Sequence, residues 1–164
     1  MKEGKKIKKP IINIVIIIFA LIIQLIISPL FIAGIKPDLL LVIVIVIGLL
    51  GGVKNGVTYG FIAGMLQDLF TGGMFGIYTV IKLLMGGIVG LIEGRIFKEK
   101  IIISVFIIFF STYLHELLVI LFSEKLIFNI NFIYAIKYVI FPEAVINSII
   151  GFVFYYLYYN FNMT

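Results

Sequence analysis

Residues 39–50 read Leu39-Leu40-Leu41-Val42-Ile43-Val44-Ile45-Val46-Ile47-Gly48-Leu49-Leu50, a run with one glycine and no polar side chain. Its six successive β-branched residues suit a buried strand. No turn residues or polar alternation flank the run, however, and in lipid an open strand would leave its backbone groups unpaired, so a helix is the expectation.

The rest of the chain has the same character. Of its 164 residues, 63% are hydrophobic and 13% charged, with a mean hydropathy of +1.26. A soluble domain of this composition would expose apolar surface to water, so the chain reads as an integral membrane protein. At roughly 20 apolar residues per spanning helix, it holds about six spans. Soluble catalytic domains, nucleic-acid modules and collagen-like or disordered classes are thereby excluded. The absence of cysteine rules out a disulfide framework, thiolate metal sites and Cys nucleophiles.

Working outward, the run from Ile11 to about Ala33 is the first span, too long for the 7–15-residue core of a cleaved signal. Gly34-Ile35-Lys36-Pro37-Asp38 breaks it, the glycine ending one helix and the proline and acid opening the next. After residues 39–50, Lys54-Asn55 marks a turn, and Gly56 to Phe70 forms a third helix. Thr71-Gly72-Gly73 is another turn, a fourth helix runs from Met74 to Ile92, and a charged loop follows with Glu93, Arg95, Lys98, Glu99 and Lys100. Ile101 to Phe122 is the fifth helix. Ser123-Glu124-Lys125 starts the longest connection, with room for a short interfacial helix between Leu126 and Lys137, and Tyr138 to Tyr159 is the sixth helix.

The predicted fold is an all-α bundle of six transmembrane helices, residues 11–164, behind a basic cytoplasmic N-terminus, residues 1–10. Six spans put both termini on one side. That side collects Lys2, Lys5, Lys6, Lys8, Lys9, Lys54, Arg95, Lys98 and Lys100, against Lys36, Lys125 and Lys137 on the other. The imbalance places both termini in the cytoplasm, and it accounts for the net charge of +5 without nucleic acid. Tyr155, Tyr156, Tyr158, Tyr159 and Phe161 either form an aromatic belt at that inner interface or simply fill helix surface.

Thirteen of the 16 glycines lie between Gly48 and Gly94. Gly56, Gly60 and Gly64 recur every fourth residue, as do Gly86, Gly90 and Gly94, a spacing that clears one helix face for close approach of another backbone. The neighbour is either a helix of the same chain, the favoured reading, or a partner's helix.

Asp68, Lys82, His115, Glu116 and Glu143 lie in or beside apolar runs, where an unpaired charge is expensive. Under the assigned topology all five fall in the outer half of the membrane. They are expected to form an outer polar cluster in which Lys82 pairs with Glu116, Glu143 or Asp68. Four of them have a plainer reading as well. Asp68 caps a turn, Lys82 snorkels to the surface, His115 is a packed histidine and Glu143 offsets a helix dipole after Pro142. His115 and Glu116 are about 100° apart around a helix and are not expected to face each other.

No catalytic residue, cofactor or metal is implied. There is no phosphate-binding glycine loop, HExxH or GxSxG, nor a set of acids on adjacent turns to hold divalent metals.

Lys36-Pro37-Asp38-Leu39-Leu40-Leu41, then Gly48, Gly51-Gly52, Gly56, Gly60-Phe61, Gly64, Asp68-Leu69, Gly72-Gly73 and Gly76, resemble the core of the rod shape-determining protein MreD family. Chain length, six predicted spans and the basic N-terminus are also similar. The resemblance implies a non-enzymatic scaffold of the bacterial cell-elongation machinery in the inner membrane, binding MreC. With MreC it would meet the RodA glycosyltransferase, a class B penicillin-binding transpeptidase and MreB, and so help organise peptidoglycan synthesis. It further implies a fold similar to the substrate-capture subunits of energy-coupling-factor vitamin transporters, which provide the alternative function. Against that alternative, such subunits dock through a small-xxx-small motif in the first helix, where this chain has only Ala20 and Ala33 as small apolar residues. The residues expected to serve packing or partner contact are Pro37, Asp38, Gly56, Gly60, Gly64, Asp68, Gly72 and Gly73. Pro37 and Asp38 are expected to fix the start of the second helix, the aspartate by accepting a first-turn amide hydrogen bond.

Overall fold

A computed structural model describes residues 3–30, 35–71, 74–93, 101–122 and 132–163. The described residues are almost all helical, with no strand among them. The helices are α1 (Glu3–Ile27), α2 (Leu39–Thr71), α3 (Ile77–Gly90), α4 (Ile101–Phe122), a short α5 (Phe132–Ala135) and α6 (Phe141–Met163). A 3-10 turn, Ser28–Leu30, follows α1, and a π-helical turn, Ile136–Ile140, joins α5 to α6. Among the described residues, four stretches are long and apolar enough to cross a membrane: Pro10–Leu30, Leu39–Thr71, Ile101–Phe122 and Ile133–Phe161. Ile77–Gly90 is apolar but shorter. The protein is membrane-embedded.

The run that opened the sequence analysis is a helix, and it is the centre of the molecule. Every residue from Leu40 to Leu49 is buried. A helix that is apolar on all sides can satisfy every face only by being surrounded, and α1, α3, α4, α6 and the second half of α2 supply that surround.

α2 is interrupted at Gly52, whose φ of 78° and ψ of −177° are non-helical. The chain reverses there. A Cβ on Gly56 would lie 3.3 Å from the Gly48 Cα, and Gln67 reaches Asp38, although along a straight helix the latter pair would stand about 43 Å apart. Residues 39–51 and 53–71 are therefore antiparallel partners. The expected turn at Lys54-Asn55 is displaced to Gly52, because the reversal needs a positive φ that L side chains rarely adopt. Lys54 and Asn55 instead lie exposed in the first turn of the following helix.

Other ends shift too. α1 begins at Glu3 and carries Pro10 within it, earlier than the predicted Ile11. Helix continues through Phe132–Ile140 into α6, where an interfacial connection was expected for residues 132–137. The π-helical turn sits just ahead of Pro142. Proline has no N–H and its ring crowds the carbonyl four residues back, so a locally widened turn accommodates it. The expected turn residues Gly72 and Gly73, and Gly34, Ala33, Gly94 and Ser123–Lys125, lie outside the described residues.

α4 is polar on the inside. Its buried residues are Ser104, Ile108, Ser111, Thr112, His115 and Val119, a stripe at helical period that faces the bundle, while Phe106, Phe110 and Leu114 point outward. α6 repeats this with Glu143, Ala144, Asn147 and Ser148 buried and Val145, Ile149 and Phe152 exposed. That polarity is what a helix between lipid and a polar interior requires.

Candidate functional site

The second half of α2 and α3 form a glycine seam. A Cβ on Gly56 would run into the Gly86 carbonyl, one on Gly60 into the Lys82 carbonyl and one on Gly64 into the Thr79 backbone. A Cβ on Gly90 would stand 2.6 Å from the Val53 Cα. Gly56, Gly60 and Gly64 thus meet a helix of the same chain. Asp68, one turn beyond, sits at the end of this seam and caps α3. Its two carboxylate oxygens accept from the Tyr78 amide at 3.1 Å and the Thr79 amide at 2.9 Å, and the Thr79 hydroxyl donates as well. The amides belong to the first turn of α3, which has no capping side chain of its own at Gly76.

Asp38 holds the other polar centre. It caps residues 39–51, its Oδ1 accepting from the Leu41 amide at 2.9 Å, while Gln24 of α1 accepts from the Leu40 amide at 3.3 Å. Pro37 is buried and precedes the cap, and so stands outside the first turn rather than in it. The Asp38 Oδ2 accepts from the Lys82 ammonium and from the Gln67 side-chain amide at 3.4 Å. Its own amide donates to the Asn147 Oδ1 at 3.1 Å, and the Asn147 Nδ2 donates onward to the Thr112 hydroxyl at 3.4 Å. Asp38 therefore ties together α2, α3 and α6, and through Asn147 also α4.

Lys82 is completely buried. It neither snorkels nor pairs with Glu116, Glu143 or Asp68. Its partner is Asp38, because the reversal at Gly52 brings the start of α2 beside the middle of α3. Its ammonium also lies 3.4 Å from the His115 Nε2. An ammonium can only donate, so Nε2 accepts and the ring proton sits on Nδ1. Nδ1 then donates to the Glu116 Oε1 at 2.9 Å. His115 and Glu116 do meet, contrary to the angular expectation, since the glutamate stem is long enough to bend back to its neighbour's ring. The result is an unbroken chain of polar contacts, Asp38, Lys82, His115 and Glu116, with the Tyr78 ring stacked 6.2 Å from the imidazole and 5.9 Å from the ammonium.

Glu143 is also buried. It lines a cavity of about 670 Å³ together with Gln24, Asp38, Gln67, Tyr78 and Glu116. Of the five residues expected in an outer polar cluster, Glu116 and Glu143 line this cavity, and Lys82 and His115 join it through their contacts with Asp38 and Glu116. Asp68 stands apart at the cap of α3.

Gln67, Asn147, Thr112 and Gln24 are parts of this centre that were not singled out from the sequence. Their signal was available, as isolated polar side chains within apolar runs. Asp38, His115 and Glu116 offer three donor atoms within 4.8 Å of one another, a spacing that can hold a metal ion. The Lys82 ammonium already stands between Asp38 and His115, so an ion would have to displace it.

A family model described as rod shape-determining protein MreD matches residues 5–164. No curated protein and no solved structure matches the chain.

Proposed function

The chain belongs to the rod shape-determining MreD family, and from that premise we propose that it is a non-enzymatic scaffold of the cell-elongation machinery, binding MreC and helping organise peptidoglycan synthesis. The family match over residues 5–164 carries this reading. In it, the two halves of α2 and the short α3 each cross the cell membrane, making six crossings with α1, α4 and α6, and both termini are cytoplasmic. Gly52 then lies at the inner end and Asp38 and Asp68 at the outer end. RodA, the class B transpeptidase and MreB join through MreC in a larger complex.

The test is affinity recovery of the full chain from native membranes of its own host. Co-recovery of a bitopic MreC-like protein, with rounding of cells on depletion, is the expected result. Recovery of a transporter ATPase and its coupling subunit without any such protein would favour substrate capture, the alternative for which the cavity beside Asp38 is the supporting observation. Topology is tested on the naturally Cys-free chain: Lys36→Cys is expected to react with an impermeant external reagent in intact cells and Lys98→Cys to be protected.

A further inference from the structure

We propose that the cavity beside Asp38 binds a small organic cation, a molecule with an ammonium or amidinium group on an apolar body. The inference goes beyond the scaffold role and does not depend on it.

Charge gives the first reason. The acid side chains of Asp38, Glu116 and Glu143 line the cavity, and the first and last are buried. Lys82 is the cation held among them and is already engaged by Asp38. Lys36 also lines the cavity but is exposed, so its ammonium remains free to stay hydrated. Among the described residues the Glu116 carboxylate is met only by the His115 ring, and the buried Glu143 carboxyl adds a further acceptor oxygen, so the lining favours an incoming donor-rich cation and disfavours an anion.

Gln67 gives a second and independent reason. It lines the cavity at 5% exposure, and its carbonyl oxygen is buried with no hydrogen-bond partner among the described residues. The neighbouring Asp38 carboxylate accepts from the Gln67 Nε2, which fixes the amide's orientation and leaves an acceptor as the orphan end. An orphan acceptor calls for a donor. Ammonium and amidinium groups bring several donors with their charge, whereas a bare metal ion competes with Lys82 for Asp38 and His115.

The walls fit the rest of such a molecule. Leu25, Phe70, Ile120 and Val139 supply apolar surface, and Tyr78 and Tyr134 supply rings. The volume lies within the roughly 300–1,000 Å³ range of small-molecule sites.

The chain has no tryptophan, so Phe70→Trp, at an exposed wall position, gives a single tryptophan at the cavity, excited selectively beyond the tyrosine absorption band. The purified full chain carrying it is titrated with benzylammonium, with benzamidinium, and with neutral benzyl alcohol as the control for partitioning into detergent. Saturable quenching by the two cations is expected, about 10-fold tighter than any response to the alcohol, a factor of about 1.4 kcal/mol. Glu116→Gln and Gln67→Met, each in the Phe70→Trp background, are expected to weaken cation binding about 10-fold. If Glu116→Gln does not fold, Gln67→Met carries the test. Equal responses to cation and alcohol, no saturable response up to millimolar cation, or folded variants that bind as well as their parent would each overturn the proposal.

Discussion

The glycine seam and the Asp38 centre lie on the same pair of helices and are built on opposite principles. Along the seam, α2 and α3 touch through backbone, with Gly56 against Gly86 and Gly60 against the Lys82 carbonyl. Nothing there is charged, and the contact exists because side chains are missing. At the Asp38 centre the chain segments are joined by long polar side chains that reach across a gap. The Asp38–Lys82 pair alone links residues 44 apart in sequence. The difference shows how a membrane protein can be tight and hollow at once. Where backbones meet, packing forces hold the helices and leave no room. Where side chains bridge, the helices stand far enough apart to leave a cavity.

The largest effect is expected at the bridge. Lys82→Met keeps the aliphatic stem and removes the charge, leaving Asp38 buried without its cation. A loss of about 3–5 kcal/mol is expected in detergent unfolding, with much of it restored by the double variant Asp38→Asn/Lys82→Met. If the double variant is no better than the single, the pair is not what joins the two helices.

Next comes the seam. Gly60→Ala places a methyl where the Lys82 backbone already is, and is expected to cost about 1–3 kcal/mol. Membrane insertion, read by resistance to alkaline extraction, should be unchanged because the substitution is no less apolar. A stable Gly60→Ala protein would mean that the seam is looser than the contact distances imply.

The smallest expected effect is at Asp68, where seam and polar groups meet. Asp68→Ala removes the cap of α3 and should cost about 1 kcal/mol, with hydrogen exchange faster at Tyr78 and Thr79 than in the rest of α3. Exchange that speeds equally throughout α3 would show that Asp68 holds the helix in place rather than its first turn alone.

The two regions were unequally legible in the sequence. Glycines at 56, 60 and 64 announce their face because the helix period is local, and residues 39–50 announce a helix because lipid forbids the strand. The pairing of Asp38 with Lys82 depends on where the chain reverses, and polarity at Lys54-Asn55 was a poorer guide than the glycine pair at 51 and 52. Weighing only ionisable residues at membrane depth also passed over Gln67 and Asn147. An amide in an apolar run has four hydrogen-bonding positions to satisfy, which makes it as informative as a carboxylate.

The reversal at Gly52 also bears on the order in which the protein assembles. It makes the contacts between the two halves of α2 local, Gly48 against Gly56, and the adjoining seam joins Gly60 to Lys82, 22 residues on, so their loop-closure entropy is smaller than that of contacts with α6. The Asp38–Asn147 hydrogen bond spans 109 residues and cannot exist until α6 has arrived. A nascent chain released after α3 would therefore hold its glycine seam and the Asp38–Lys82 pair and lack the contacts from His115 and Asn147. The contacts that α4 and α6 bring to Asp38 and Lys82 are thus the last that the chain can complete.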